Sequence, residues 1–144
     1  MWTLIIVLGW MTNSWNPLGD LKKSSNAGII LHLSEVKTTK GKILISLFNQ
    51  PDGFPDDVEK AFKTWALDPA QTLNLGLIPP GDYALALFHD TDQNQKMTVN
   101  LVGYPKEGFS SSPEGGSRWS KPNWKLARFK HGPNQTTLNL KMHY

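Results

Sequence analysis

Residues 79–94 read Pro79-Pro80-Gly81-Asp82-Tyr83-Ala84-Leu85-Ala86-Leu87-Phe88-His89-Asp90-Thr91-Asp92-Gln93-Asn94. Proline fixes its own backbone and lacks an N–H, and glycine reaches conformations closed to other residues, so the Pro-Pro-Gly opening is a turn. From Asp82 to His89 the side chains then alternate, with Tyr83, Leu85 and Leu87 on one face and Ala84, Ala86 and Phe88 on the other. A period of two is the signature of a β-strand, whose successive side chains point to opposite faces. The apolar run stops at His89, and Asp90, Asp92 and Asn94 follow at every second position. A strand therefore delivers the chain into a loop filled with oxygen ligands.

The same rhythm extends in both directions. Residues 29–36 set Ile29, Leu31 and Leu33 against Ile30, His32 and Ser34, and residues 42–48 set Ile43, Ile45 and Leu47 against Leu44, Ser46 and Phe48. Lys40-Gly41 between them is a turn signal, which predicts a hairpin. Residues 63–67 and 71–77 flank an Asp68-Pro69 turn, and residues 123–129 and 135–142 flank His131-Gly132-Pro133-Asn134. Residues 54–62 are the one stretch with helical spacing: Asp56, Asp57 and Glu59 fill the first turn, and Val58, Ala61 and Phe62 share a face. The sum is an all-β chain, an antiparallel seven-stranded β-sandwich with one short helix and one long loop over residues 90–122. Loops of that length in a compact domain are functional or mobile.

With 144 residues the chain suffices for one domain with its own core. A hydrophobic content of 39% and a charged content of 19% fit a globular protein. The net charge of +3 is spread along the chain, without the concentrated basic face and interleaved aromatics of a nucleic-acid binder, so no nucleic-acid partner is expected. The lack of cysteine removes disulfides, thiolate catalysis, zinc–thiolate sites and a lipid-modified N-terminal cysteine together.

The first residues differ from the rest. Residues 2–11, Trp-Thr-Leu-Ile-Ile-Val-Leu-Gly-Trp-Met, form an apolar run too short to span a bilayer and suited to the core of a secretory signal. No Lys or Arg precedes it, and the best small-x-small site, Ser25-Asn26-Ala27, lies well downstream. The expected division is an apolar leader over residues 1–27, either a signal peptide or an anchor, and a single domain over residues 28–144. A buried N-terminal strand or helix is the alternative.

Three short motifs in order carry a resemblance. The strand at 41–48 ends in Leu47-Phe48-Asn49 and is followed by Gly53-Phe54-Pro55. Residues 77–90 carry Leu77, Pro80-Gly81, Tyr83-Ala84 and Phe88-His89-Asp90, and residues 103–110 carry Gly103, Pro105 and Glu107-Gly108-Phe109-Ser110. Together they resemble the bacterial domain-of-unknown-function family 2141, whose members are small exported proteins. The resemblance implies a β-sandwich of the transthyretin-like or immunoglobulin-like sort and no established enzymatic activity. It also implies an acidic loop of the form His-Asp-x-Asn-x-Asn-Gly-x-x-Asp. His89, Asp90 and Asn94 match that outline, Asp92 replaces an Asn, Gln95 stands at the glycine and Thr98 at the later Asp.

The candidate site follows from these loops. Asp90, Asp92 and Asn94 have the one-three-five spacing of a calcium loop, and calcium takes six to eight oxygens. The full twelve-residue pattern is absent, since Gln95 and Leu101 stand at its glycine and bidentate positions. The alternative is an Asx-rich turn whose side chains bond backbone amides. Glu107 is a further candidate to approach the same loop. His89 is a candidate ligand-binding or metal-binding residue, or a histidine that bonds loop backbone. Phe109 and Trp119 are candidate aromatic contacts for a ligand, or anchors that fasten the loop to the sheets.

These readings predict an exported, non-enzymatic β-sandwich, periplasmic or secreted, with no catalytic residues. It would bind a protein partner, glycan or envelope component through His89, Glu107, Phe109 and Trp119, with membrane contact confined to the leader. Calcium at Asp90, Asp92 and Asn94 is the one cofactor considered. The alternatives are a calcium-stabilised structural module and a metal-dependent hydrolase using His89, Asp90 and Glu107.

Overall fold

A computed structural model of the chain describes residues 26–113 and 120–144. The expected leader therefore lies almost wholly outside the described residues, as does Trp119. Eight strands occur in order among the described residues: β1 (Ala27–Ser34), β2 (Lys42–Phe48), β3 (Lys63–Leu67), β4 (Thr72–Ile78), β5 (Gly81–Asp90), β6 (Phe109–Ser111), β7 (Phe129–His131) and β8 (Thr136–Lys141). They form two sheets. One has the order β4-β1-β8; the other has the order β3-β2-β5-β6, with β7 also paired to β5.

Period two decides which residues meet between the sheets. Ile29, Leu31 and Leu33 from β1, Leu73 and Leu75 from β4, and Leu138 and Leu140 from β8 are buried. They share one core cluster with Ile43, Ile45 and Leu47 from β2 and Leu85 and Leu87 from β5. Each such side chain contributes about 1.5–3 kcal/mol when fully removed from water, which makes this shared core the main stabilising element. On β4 the alternation slips. Gly28 pairs with Leu77 but Ile30 pairs with Asn74, so β4 bulges there. Gly76 takes φ +77 in the bulge, and its N–H donates to the Asn74 side chain at 2.8 Å. The bulge turns Leu77 out to 67% exposure and Ile78 inward.

Four expectations need correction. The sheets are not purely antiparallel, because β1 and β8 run parallel, with Ile29 opposite Thr136 and Ser34 opposite Lys141. A parallel pair needs a crossover, and here all the intervening strands supply it. The strands number eight, because β6 lies inside the stretch read as one loop; Phe109 pairs with Phe88 and Ser111 with Ala86. β1 and β2 do not form a hairpin, since each joins a different sheet. Their connection crosses the end of the core at Gly41, where φ is +76 and a Cβ would stand 2.1 Å from the Asp90 carbonyl oxygen.

The fourth correction concerns helices. Residues 54–62 hold only a 3-10 turn, Val58–Lys60, capped by the Asp57 carboxylate, which accepts the Glu59 N–H at 3.2 Å. The expected apolar face is only partly covered, with Phe62 against the Tyr83 ring but 42% exposed and Val58 54% exposed, and so short a helix cannot persist without fuller packing. Conversely, residues 123–129 begin as a helical turn, α1 (Trp124–Ala127), because the Asn123 side chain caps it through the Lys125 N–H at 2.9 Å. No helix of the described residues is long and apolar enough to cross a membrane.

His131 ties the two layers. Its Nε2 lies 3.1 Å from the carbonyl oxygens of both Ala27 and Ile78, and its Nδ1 lies 2.6 Å from Thr136 Oγ1. Carbonyls only accept, so Nε2 carries a proton, and in the neutral imidazole Nδ1 accepts from the threonine hydroxyl.

Candidate functional site

The last residues of β5 set the geometry. His89 is fully buried. Its Nε2 donates to the Lys40 carbonyl at 2.7 Å, and in the neutral imidazole Nδ1 then accepts from the Tyr144 hydroxyl at 2.9 Å. That hydroxyl also accepts the Lys37 N–H at 3.2 Å. The histidine thus joins the β1–β2 connection, the end of β5 and the C-terminal residue. Burial raises the Tyr144 pKa above its ordinary value, with the Lys37 N–H acting against that shift.

Beyond His89, two buried carboxylates hold the loop. Asp90 accepts the Asn94 N–H at 3.1 Å on one oxygen and the Gln95 N–H at 2.9 Å on the other. Glu107 accepts the Thr91 N–H at 3.1 Å and the Thr98 N–H at 3.1 Å. Residues 91–98 have no strand partner, and buried backbone N–H groups need acceptors. The two acids provide them from opposite ends. Asp92 is exposed and accepts from the backbone and side-chain nitrogens of Asn94. The Asn94 side-chain oxygen accepts the Lys96 N–H at 2.8 Å.

Held this way, the loop stands over the outer face of the second sheet and encloses a cleft of about 680 Å³. Its floor follows from strand register. Leu44, Phe88 and Phe109 lie side by side across β2, β5 and β6, and Ser46 and Ala86 form the next pair. The small second pair leaves a hollow beside the apolar row. One wall is loop, from Gln95 to Met97 with Val99, Tyr104 and Pro105; the other carries Pro55, Asp56, Val58, Lys121 and Pro122. Lys121 and Asp56 form an ion pair across the second wall. A hollow of this volume, mostly apolar with a few polar groups at its margins, has the properties of a small-molecule site.

The expected site residues separate into two groups. Phe109 lines the cleft. His89 and Glu107 do not face it. Both are buried, and their polar atoms are taken up by loop backbone and Tyr144, which is the alternative read for His89 from the sequence. Trp119 lies outside the described residues. Of the expected calcium set, Asp90 and Asp92 converge with Glu107, the carboxylate oxygens of the three acids lying within 4.8 Å of one another, and the Asn94 side-chain oxygen accepts the Lys96 N–H. Calcium fits this group only in part. With one oxygen from each carboxylate the group supplies three of the six to eight ligands calcium takes, and both oxygens of each buried acid already accept a backbone N–H.

Leu44, Ala86, Met97 and Tyr104 were not foreseen as site residues. For the first two a signal existed, because the outward faces of β2 and β5 carry Leu44, Ala86 and Phe88 where a solvated face would be polar.

Comparison with known proteins rests on the same framework. The bacterial family DUF2141, described as an uncharacterized protein conserved in bacteria, matches residues 31–139. The chain belongs to this family. The DUF2141 match runs from β1 into β8 and spans the acidic loop and the cleft floor. No curated protein matches the chain, and no solved structure does.

Proposed function

We propose that this DUF2141 protein is an exported, non-enzymatic β-sandwich of the transthyretin-like or immunoglobulin-like kind that binds an envelope component with an apolar body. The ligand sits in the cleft between the outer face of β2, β5 and β6 and the long loop. The observation that carries this reading is the hollow at Ser46 and Ala86 beside the row Leu44, Phe88 and Phe109. An exposed sheet face this apolar is disfavoured unless something covers it. The non-enzymatic reading draws support from His89, Asp90 and Glu107, the groups a hydrolase would use, being committed to holding backbone.

Filling the hollow tests the proposal. Ala86→Phe places a ring on the outer face without touching the core between the sheets. The parent chain should bind 1-anilinonaphthalene-8-sulfonate saturably, lipid extract from a bacterial envelope should displace the dye, and Ala86→Phe should weaken dye binding about tenfold or more at an unchanged unfolding midpoint. Equal dye binding by parent and variant would remove the cleft as the site.

A second reading, a calcium-stabilised module, is favoured by the convergence of Asp90, Asp92 and Glu107. The backbone N–H groups on the buried acids weigh against it.

A further inference from the structure

The tip of the long loop carries two apolar side chains that the fold does not use. Leu101 is fully exposed and Val102 is 85% exposed, next to Val99 at 49%. Scattered apolar residues on a surface are ordinary, but these are adjacent and occupy the apex of a locked turn. Val99 bridges Pro105. Across the turn, the Asn100 N–H donates to the Tyr104 carbonyl at 2.8 Å and the Gly103 N–H to the Asn100 carbonyl at 2.9 Å. The Asn100 side-chain oxygen accepts the N–H groups of Val102 at 3.0 Å and Tyr104 at 2.9 Å. Gly103 closes the turn at φ +81, a conformation other residues rarely adopt. The backbone is thus fixed, and presenting Leu101 and Val102 requires no further ordering.

Two lysines flank this tip in the chain. Lys96 and Lys106 are exposed at the base of the turn, and neither forms an ion pair among the described residues. Lys106 follows Val102 by four residues, which in this turn is less than the roughly 13 Å of an extended chain. Of the acids nearby, Asp90 and Glu107 face inward and accept loop N–H groups, and Asp92 is exposed with its carboxylate accepting from Asn94, so two exposed lysines face one exposed carboxylate and none of the three is ion-paired among the described residues.

We propose that this tip inserts into an anionic lipid surface, with Leu101 and Val102 entering the acyl boundary and Lys96 and Lys106 meeting the headgroups. A protruding pair of side chains offers far less area than a stable protein interface requires. It matches what an interfacial anchor needs: an apolar element that enters about 5–10 Å, with cations behind it. Leu101, Val102 and Lys106 lie outside the cleft lining, while Lys96 and Val99 belong to its loop wall, so the contact adjoins the cleft and extends membrane contact beyond the apolar leader.

The absence of cysteine makes the test direct. Val102→Cys in the full chain takes a single environment-sensitive fluorophore, and Asn134→Cys, on the exposed β7–β8 connection, is the control. Each is mixed with vesicles of phosphatidylglycerol or phosphatidylcholine that contain brominated acyl chains. The tip probe should blue-shift and be quenched in phosphatidylglycerol vesicles while the control probe stays aqueous. Lys96→Gln with Lys106→Gln should weaken that insertion roughly thirtyfold, two lysines each being worth about fivefold near an anionic surface. Vesicle-bound protein whose tip probe remains aqueous would show binding through the leader alone and overturn the proposal. So would equal insertion into phosphatidylcholine, indifference to the lysine substitutions, or a concentration-dependent shift without vesicles, which would report contact with a second copy.

Discussion

Gly108 lies against the ring of Tyr144 so closely that a Cβ at residue 108 would stand 2.5 Å from two ring carbons. The ring cannot swing aside freely, because its hydroxyl is bonded to His89 and to the Lys37 N–H. The Gly108 carbonyl in turn accepts the His89 N–H at 2.7 Å. The glycine of the Glu107-Gly108-Phe109-Ser110 motif is thus required by the last residue of the chain, and both fix the strand end from which the acidic loop starts.

Gly108→Ala should therefore destabilise the fold by about 1–3 kcal/mol, the usual penalty for overpacking a filled site. Urea denaturation gives the value. Combining it with Tyr144→Ala should cost less than the sum of the two single changes, because the clash disappears with the ring. A loss below about 0.5 kcal/mol in Gly108→Ala would mean that the ring relocates and the contact does not constrain the motif.

Glu107→Gln tests whether the buried acid serves the loop. The amide keeps one oxygen but turns an NH₂ toward the Thr91 or Thr98 N–H, which leaves a buried donor facing a donor. The expected destabilisation is about 1–3 kcal/mol. It should be local, with faster hydrogen exchange at Thr91 and Thr98 and little change in β1, β4 and β8. Unchanged exchange at both threonines would free Glu107 for a role toward a ligand.

Calcium is the corresponding test for the cluster. Calcium at a hundred times the dissociation constant of such a site would add about 2.7 kcal/mol to stability. Because backbone N–H groups already offset the charge of Asp90 and Glu107, millimolar calcium should leave the melting midpoint unchanged, as should a chelator. A midpoint rise that Asp90→Asn abolishes would assign the three carboxylates to a cation instead.

The parts of the molecule legible from sequence are those set by local periodicity. Ile29, Leu31 and Leu33 could be placed on one face, and Ile43, Ile45 and Leu47 on another, because alternation is a property of each strand alone. The parallel pairing of β1 with β8 was not legible, since each strand reads the same whichever way its neighbour runs. Spacing put Asp90 and Asp92 together at the start of the loop; Asp90 is the last residue of β5, paired with Lys42, and its carboxylate still converges with that of Asp92. The burial of His89, Asp90 and Glu107 was hidden, because it depends on which distant N–H groups need acceptors. The cleft lay between these cases. Its floor could be inferred from apolar residues on both faces of β2 and β5, whereas Met97 and Tyr104 reach it only through the folding of the loop.

Alkaline pH should loosen the fold at both ends of β5. Burial raises the pKa of Tyr83 and of Tyr144 above the ordinary value of 10.0. A tyrosine with a raised folded-state pKa keeps its proton when the unfolded chain has already lost it. Between the two values the unfolded state binds fewer protons, so stability falls as pH rises. The contribution is complete below about pH 10 and is lost as pH climbs through the folded-state value. Unfolding midpoints measured from about pH 8 to 11 should fall at the top of that range. Tyr144→Phe cannot ionise, so its profile should be flatter, although it starts lower for want of the hydroxyl that reaches His89 Nδ1. Lysine deprotonation affects parent and variant alike, so the difference between the two curves isolates Tyr144. Parallel curves would show that the hydroxyl ionises as readily in the folded protein as in the unfolded chain, and that its link to His89 does not depend on the proton.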